Sequence, residues 1–493
     1  MNNMLVLPML IPLIAAILLV FFKKQIKVQR SVSLAALLAT AGVAVYILME
    51  IEKKGILRLD FGGWHAPYGI LFVADPFAML LVAASSFVSA VCLLFAFSSI
   101  GRRLEELYVY SFILFLVAGV NGSFLTGDLF NLFVCFEVLL VASYVLLFIA
   151  GGKRQLKASV GYITLNILSS WFFLVAIGFL YGSAGTLNLA HLSERIAEAG
   201  QPPLFTSIGL LFLIVFSIKA GLLLYFWLPS SYSAPPPAIA ALFGALLTKV
   251  GIYAIFRFFT LLFYHEPDIT HKLIAIMAVL TMAGGCLGAI AYSDIQKVIS
   301  YNVVIAVGFL LAGLAVSTET ALQGSIYYLI HDMVAKALLF MVGGVMVMSA
   351  GTSRMDRMSG LIGNYPVLGA VYFTVMLSLA GIPPFSGFLG KVLVGQGALA
   401  SGSYILLAAA FLSSLLALYS LLRVFLSCFW GETIVSKADQ LPMKKGWLVP
   451  CLILAAATLA LGLGAESVAS HVTAAAKILA NPQLYIDAVL GQK

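Results

Sequence analysis

Six basic side chains lie where a bilayer normally excludes charge: Lys219, Lys249, Arg257, Lys336, Lys391 and Arg423 all fall inside long apolar runs. A cation at mid-membrane costs about 3 kcal/mol or more, so each needs a partner, a wet cavity or a function. Arg257 and Arg423 stand near the ends of their runs, where a long side chain can snorkel to the interface. Lys219, Lys249 and Lys391 are deeper, and for them the functional reading is the stronger. Two of these adjoin proline clusters: Lys219 opens KAGLLLYFWLPSSYSAPPP and Lys391 closes GIPPFSGFLGK. A helix broken at membrane depth frees backbone carbonyls and amides, which is tolerable only against protein or a water-filled space. Water reaching a break from one side makes a half-channel, and a lysine at its inner end exchanges a proton with that side. Desolvation disfavours the ammonium and a nearby carboxylate favours it, so lysine in such a place is a switchable proton carrier.

A carboxylate is available. Glu137 sits in FNLFVCFEVLLVASYVLL with no other charge for eight residues on either side. A lone glutamate there is expensive unless paired. Lys219 is the expected partner, since two charges about 4 Å apart attract by about 4 kcal/mol at an effective dielectric of about 20. A static salt bridge is the alternative, but it leaves the breaks unexplained. The run YYLIHDMVAKALLF adds Asp332 and Lys336, spaced i,i+4 so that they can pair along one helix face. His331 points about 100° away round that helix. A lone histidine in an apolar helix is ordinarily a satisfied core residue, but this one lies between two lysine-bearing units, which favours a relay. The five cysteines, Cys92, Cys135, Cys286, Cys428 and Cys451, lie in apolar runs without CxxC or metal-finger spacing. They read as small core residues, and no redox cofactor is expected. No cluster of acids and carbonyls marks a sodium site, so the metal site is left open.

The elements that must position these groups are membrane helices. The chain is 62% hydrophobic and 10% charged with mean hydropathy +1.07, which sets it apart from soluble globular proteins. Apolar runs of about 20 residues, enough to cross a bilayer, recur from end to end. An all-α polytopic membrane protein follows. The net charge of +8 is explained by basic cytoplasmic loops rather than by nucleic acid or another anionic partner. Hydropathy places fourteen spans at 4–22, 31–49, 75–99, 108–126, 128–150, 158–181, 206–228, 235–263, 272–292, 298–316, 320–349, 362–398, 403–430 and 447–465. The first is followed, not preceded, by Lys23 and Lys24, the reverse of a secretory signal, so it is expected to be a retained helix. The stretch 57–73 alternates weakly, is rich in glycine and aromatics, and is expected to form a hairpin outside the bilayer. One set of connections carries 15 Lys and Arg, among them Lys23, Lys153, Arg154, Lys437 and Lys444, against 7 in the other set with the tail, which ends at Lys493. The first set is therefore expected in the cytoplasm and both termini outside.

The seventh and twelfth spans are the broken ones. They lie five spans apart and so cross in opposite directions, which makes spans four to eight and nine to thirteen two inverted five-helix units. Paired interrupted helices of this kind point to a transport site. The expected division is 1–107 for the first three helices and the hairpin, 108–263 and 264–430 for the two repeats, and 431–493 for the last helix and tail.

At these residues the sequence resembles the antiporter-like subunits shared by respiratory complex I, membrane-bound hydrogenases and Mrp-type cation/proton antiporters. The elements that carry the resemblance are Glu137, the run from SIKAGLLLYFWLP through LLTKVGIYAIFR, SDIQKVISYN, GSIYYLIHDMVAKALLF and SLAGIPPFSGFLGK. They recur in order over nearly the whole chain. The chain is most similar to the Mrp branch, because complex I relatives usually carry Pro-Phe-His before WLP and Ala-His after it, where this chain reads LLLYFWLPSSYSAPPP. Ending soon after the fourteenth span, it is expected to lack the lateral helix and extra spans of the largest members. The resemblance implies a proton path through Glu137, Lys219, Lys249 and Lys391, with His331 joining the halves and Lys336 beside it. It implies a hetero-oligomer of large and small membrane subunits, with H+ and Na+ as the transported ions. Two other readings stay open at this point: a proton-pumping subunit of a redox complex, and a non-translocating membrane scaffold that keeps its charges for packing.

Overall fold

The computed structural model describes residues 2–434 and 442–491. Lys437 and Lys493, two of the cations counted for orientation, lie outside the described residues. The chain is almost wholly helical, because an apolar run in a bilayer leaves the backbone little to bond with but itself. Helix α1 (Leu7–Leu19), extended by 3-10 turns, covers Asn3–Phe22, and α2 (Ile26–Lys54) returns beside it. The expected hairpin follows: β1 (Leu57–Asp60) pairs antiparallel with β2 (Leu71–Ala74), Leu57 opposite Ala74. Next comes α3 (Pro76–Ser99), started by a proline in its first turn, where no N–H is needed, and capped by Asp75, which accepts from Ala78 N at 2.8 Å.

A short α4 (Arg102–Glu105) leads into the first repeat. This comprises α5 (Val109–Leu125), α6 (Leu129–Phe148), α7 (Lys153–Ala184), the amphipathic α8 (Leu189–Glu198), α9 (Pro203–Ala220), the short α10 (Leu228–Tyr232) and α11 (Pro237–Leu261). The second comprises α12 (Pro267–Ala291), α13 (Ile295–Val316), α14 (Glu319–Ala350), the short α15 (Leu361–Asn364), α16 (Pro366–Ala380), α17 (Gly387–Ala400) and α18 (Tyr404–Cys428). Then α19 (Lys445–Leu463) crosses once more. Among the described residues, twelve helices are long and apolar enough to span; α5 and the interrupted pair α16–α17 supply the other two of the fourteen expected spans.

The repeats are visible in the backbone as well as in the breaks. Asp128 caps α6 and Asp294 caps α13, each accepting from the amide three residues on. Each capping residue also forms an isolated antiparallel bridge to the chain beyond the next long helix, Asp128 to Asn188 and Asp294 to Arg354. Between them, α7 and α14 are both 32 residues long and both end on a left-handed glycine, Gly185 (φ 72°) and Gly351 (φ 69°). One register therefore relates the two stretches, with residue 128 matching 294 and residue 170 matching 336.

The interior belongs chiefly to α11, α13 and α14, while α2, α7, α18 and α19 turn much of their surface outward. The five cysteines are free and buried. The tail beyond α19, whose structure the hydropathy leaves unspecified, forms α20 (Ala465–Ala480) and α21 (Pro482–Leu490), which pack on α3, α14 and α8. Arg58 in β1 of the hairpin donates to the carbonyl of Val489, tying α21 down.

Candidate functional site

The two breaks are built alike and finished differently. Helix α9 stops at Gly221 and α16 at Gly381, both left-handed (φ 78° and 82°), a conformation that favours glycine. At the first break the freed groups meet neutral partners. Trp227 Nε1 donates to Ile218 O at 3.0 Å, and Leu223 N donates to Thr281 Oγ1 at 2.7 Å. At the second, Lys391 Nζ donates to Leu379 O at 2.7 Å and Ala380 O at 3.0 Å. Lys391 therefore lies just beyond its break and caps the helix before it, whereas Lys219 lies just ahead of its own. Lys391 is buried and flanked by the rings of Phe309 and Tyr328, 6.0 and 5.8 Å from its nitrogen.

The expected ion pair of Glu137 with Lys219 is not a direct one. Lys219 Nζ donates to Ser170 Oγ at 3.3 Å, and Ser170 Oγ donates to Glu137 Oε1 at 2.5 Å. A hydroxyl from α7 thus joins the two charges, and Lys219 also lies over the Phe136 ring at 5.1 Å. Glu137 is part-buried and opens onto a lateral groove of about 450 Å³ lined by Leu13, Phe112, Phe115, Val138, Val141 and Ala142.

The next lysine is held by an acid expected elsewhere. Asp332 pairs with Lys249 at 2.6 Å and with Lys336 at 3.6 Å, all three groups being buried. The i,i+4 spacing made the weaker half of this triad visible and left the α11–α14 half unseen. Lys249 Nζ also donates to Gly244 O at 2.8 Å. Helix α11 lies hard against the end of α9, and a Cβ on Gly251 would come within 2.6 Å of Ala220 N and 2.9 Å of the Lys219 carbonyl carbon. Ser217 and Thr248, close in sequence to Lys219 and Lys249, and Tyr232 of the short α10 each bury a hydroxyl that makes no hydrogen bond among the described residues.

His331 is turned away from Asp332 toward the second break, as the helix geometry implies. Its Nδ1 is 2.7 Å from Ser386 Oγ, and its ring packs 5.1 Å from that of Tyr328. Gly387 is the residue that lets it approach, since a Cβ there would lie 3.0 Å from His331 Nε2 and 2.0 Å from Ser378 O. Of the two arginines expected to snorkel, Arg423 is part-exposed and bonds the carbonyl of Ile290, in keeping with a span end. Arg257 corrects the expectation. It is buried, pairs with Asp75 at 2.6 Å and is covered by the rings of Phe77, Tyr253 and Tyr485. An interior acid 182 residues away relieved the burial that snorkelling was invoked to avoid.

Ser170 between Glu137 and Lys219, Asp332 for Lys249 and Asp75 for Arg257 are thus the partnerships that were not picked out. The acids carried a signal, being charges in or beside apolar runs. Ser170 carried none. Among the described residues no group of three His, Cys, Asp or Glu side chains is placed to hold a metal ion.

Ionisable groups strung through the centre of an inverted-repeat helical bundle mark a membrane transport protein rather than a classical enzyme. Residues 126–417 match the family model described as NADH:quinone oxidoreductase/Mrp antiporter, TM, and the chain belongs to that family. Among its relatives, the D-type Na(+)/H(+) antiporter subunit of Bacillus subtilis (strain 168) is 49% identical over 99% of this chain and 100% of its own length. In a solved structure, the Mrp complex from Dietzia sp. DQ12-45-1b, a chain matches with TM-score 0.93 and 30% identity, covering 99% of both chains. A chain of the membrane-bound sulfane sulfur reductase, an archaeal respiratory membrane complex, matches at TM-score 0.92 and 25% identity over 99% of this chain and all of that one.

Proposed function

We propose that this chain is the D-type subunit of a multisubunit Na+/H+ antiporter in a bacterial cell membrane, and that protons cross it along Glu137, Lys219, Lys249, Lys336, His331 and Lys391. The observation that carries this reading is the placement of these groups. Lys219, Lys249 and Lys391 lie on helices that bound the two breaks, and Glu137 is joined to Lys219 through Ser170. Asp332 and Lys336 lie on α14, which with α11 and α13 is among the most buried helices. Each break opens one half of the path to one side of the membrane. A protonation change at Lys219 alters its hold on Glu137 and biases transfer toward Lys249, whose ammonium Asp332 retains. From the Asp332–Lys336 pair the proton passes to His331 and leaves by Lys391 at the second break. The unpartnered hydroxyls of Ser217, Thr248 and Tyr232 are available to such a path. Cation exchange, on this subunit or a neighbour, is driven by the proton-motive force.

The repeats run from 108 to 263 and from 264 to 430, and both termini face outward. The groove at Glu137 supports lateral assembly with other subunits, since a part-exposed carboxylate at membrane depth requires cover. The test is Glu137→Gln, which keeps the size of the side chain and removes its charge. Complexes that assemble but have lost Na+/H+ antiport are expected, and near-normal antiport in assembled complexes refutes the path. Failure to assemble is the outcome a scaffold predicts.

A further inference from the structure

Buried hydroxyls in this bundle mostly bond back to their own helix, as Ser123 does to Gly119 O, Ser300 to Gln296 O and Thr260 to Phe256 O. Ser170 does not. It lies on α7, buried, and both of its hydrogen bonds go to ionisable groups on other helices, Glu137 on α6 and Lys219 on α9. A hydroxyl has one proton to give and lone pairs to accept with. Between an ammonium, which can only donate, and a carboxylate, which accepts, its proton has one place to point.

The repeat register adds an independent observation. Residue 170 is the counterpart of 336, and the residue four positions earlier, Asn166, is the counterpart of Asp332. In the second repeat this helix face therefore supplies its own acid and lysine, Asp332 and Lys336. In the first, both are replaced by uncharged residues, and the acid and lysine come from the flanking helices with the serine between them.

We infer that Ser170 is the proton-relaying residue of the first repeat: the proton moving between Lys219 and Glu137 passes through its hydroxyl. In the step toward Glu137 an N–H bond of Lys219 breaks as Ser170 Oγ takes that proton. The hydroxyl's own O–H breaks at the same time, and its proton forms an O–H bond on Glu137 Oε1. An ammonium and a carboxylate become an amine and a carboxylic acid, with no net gain or loss of protons and no electron transferred. The reverse step restores the ion pair. The charges are switched on and off without meeting, so neither helix has to move toward the other.

This inference rests on the Glu137–Lys219 path proposed above, and the experiment separates the two. Ser170→Thr and Ser170→Val give side chains of one shape that differ in the hydroxyl, so packing effects cancel between them. Antiport is measured on equal amounts of assembled complex in vesicles, beside Ser170→Ala and Glu137→Gln. The threonine variant is expected to keep antiport within about threefold of the parent and the valine variant to fall about 100-fold below it, the scale of losing one positioned proton-transfer group. The parent and threonine variants are also expected to share a slowing in D2O. Equal antiport in the threonine and valine variants overturns the relay, whatever the alanine variant does. If that equality accompanies loss of function in Glu137→Gln, the relay fails and the path stands. If Glu137→Gln is fully active as well, both fail.

Discussion

Replacing Asp332 by asparagine preserves the shape of the side chain and removes the single negative charge that two buried lysines share. At the observed separations of 2.6 and 3.6 Å, the attractions to Lys249 and Lys336 are about 6 and about 5 kcal/mol at an effective dielectric of about 20. These are gross terms, offset in the parent by the desolvation of three charges. Removing one partner of a buried pair leaves an uncompensated charge and costs about 3–5 kcal/mol. The expected outcome for Asp332→Asn is a destabilised complex, seen as earlier thermal loss of the intact assembly, together with loss of antiport. Adding Lys336→Met removes one of the two orphaned cations and is expected to recover a large part of the stability, because a neutral side chain of similar length fills the same space. Antiport stays lost, since Lys249 still lacks its acid. Thermal stability of the purified complex and Na+-driven dissipation of a pH gradient in everted vesicles read the two quantities separately. An Asp332→Asn complex with parental stability and parental antiport refutes the triad as the midpoint of the path.

At the second break, Lys391→Ala is expected to abolish antiport, and Lys391→Arg to fail nearly as badly while assembling, because a guanidinium scarcely releases its proton; robust antiport by the arginine variant ends the carrier role of Lys391. Gly251→Ala is expected to destabilise by about 1–3 kcal/mol, the usual scale of overpacking, and to depress antiport by displacing the end of α9 that bears Lys219; unchanged thermal stability and antiport contradict the contact with Ala220. Cysteines introduced at 151–157 and at 182–201, in a background without the native five, are expected to label from opposite faces, the former from the cytoplasm. Labelling from one face breaks the inverted repeat.

The fold was readable where the bilayer imposes its own rules. Long apolar runs had to be helices, and Pro383, Pro384 and Gly381 had to interrupt one. The amphipathic α20 and α21 follow no such rule: their burial depends on the surfaces of α3, α14 and α8, which no local pattern announces. The site divides the same way. A buried lysine is conspicuous because burial is costly, so Lys249 and Lys391 stood out without a partner in view and Lys219 stood out beside the lone Glu137. Partners are set by which helices touch. Asp332 was visible to Lys336 through i,i+4 spacing but not to Lys249, and Asp75 was not visible to Arg257 across 182 residues. Ser170 is one serine among many, and only its helix's position between α6 and α9 distinguishes it.

The unequal finish of the two breaks has a mechanical consequence. An indole N–H holds the carbonyl of Ile218 whatever the proton inventory, so the first elbow is a fixed joint. The second elbow is tied by an ammonium bonded to Leu379 O and Ala380 O. Hydrogen bonds from a charged donor are roughly twice as strong as those from a neutral one, so a proton leaving Lys391 slackens the last turn of α16 in the same event. On the proposed path, where Lys391 is the exit group, its proton occupancy and the stiffness of the backbone at residues 379–382 are therefore one variable. Amide exchange in that turn becomes a gauge of how long the proton stays.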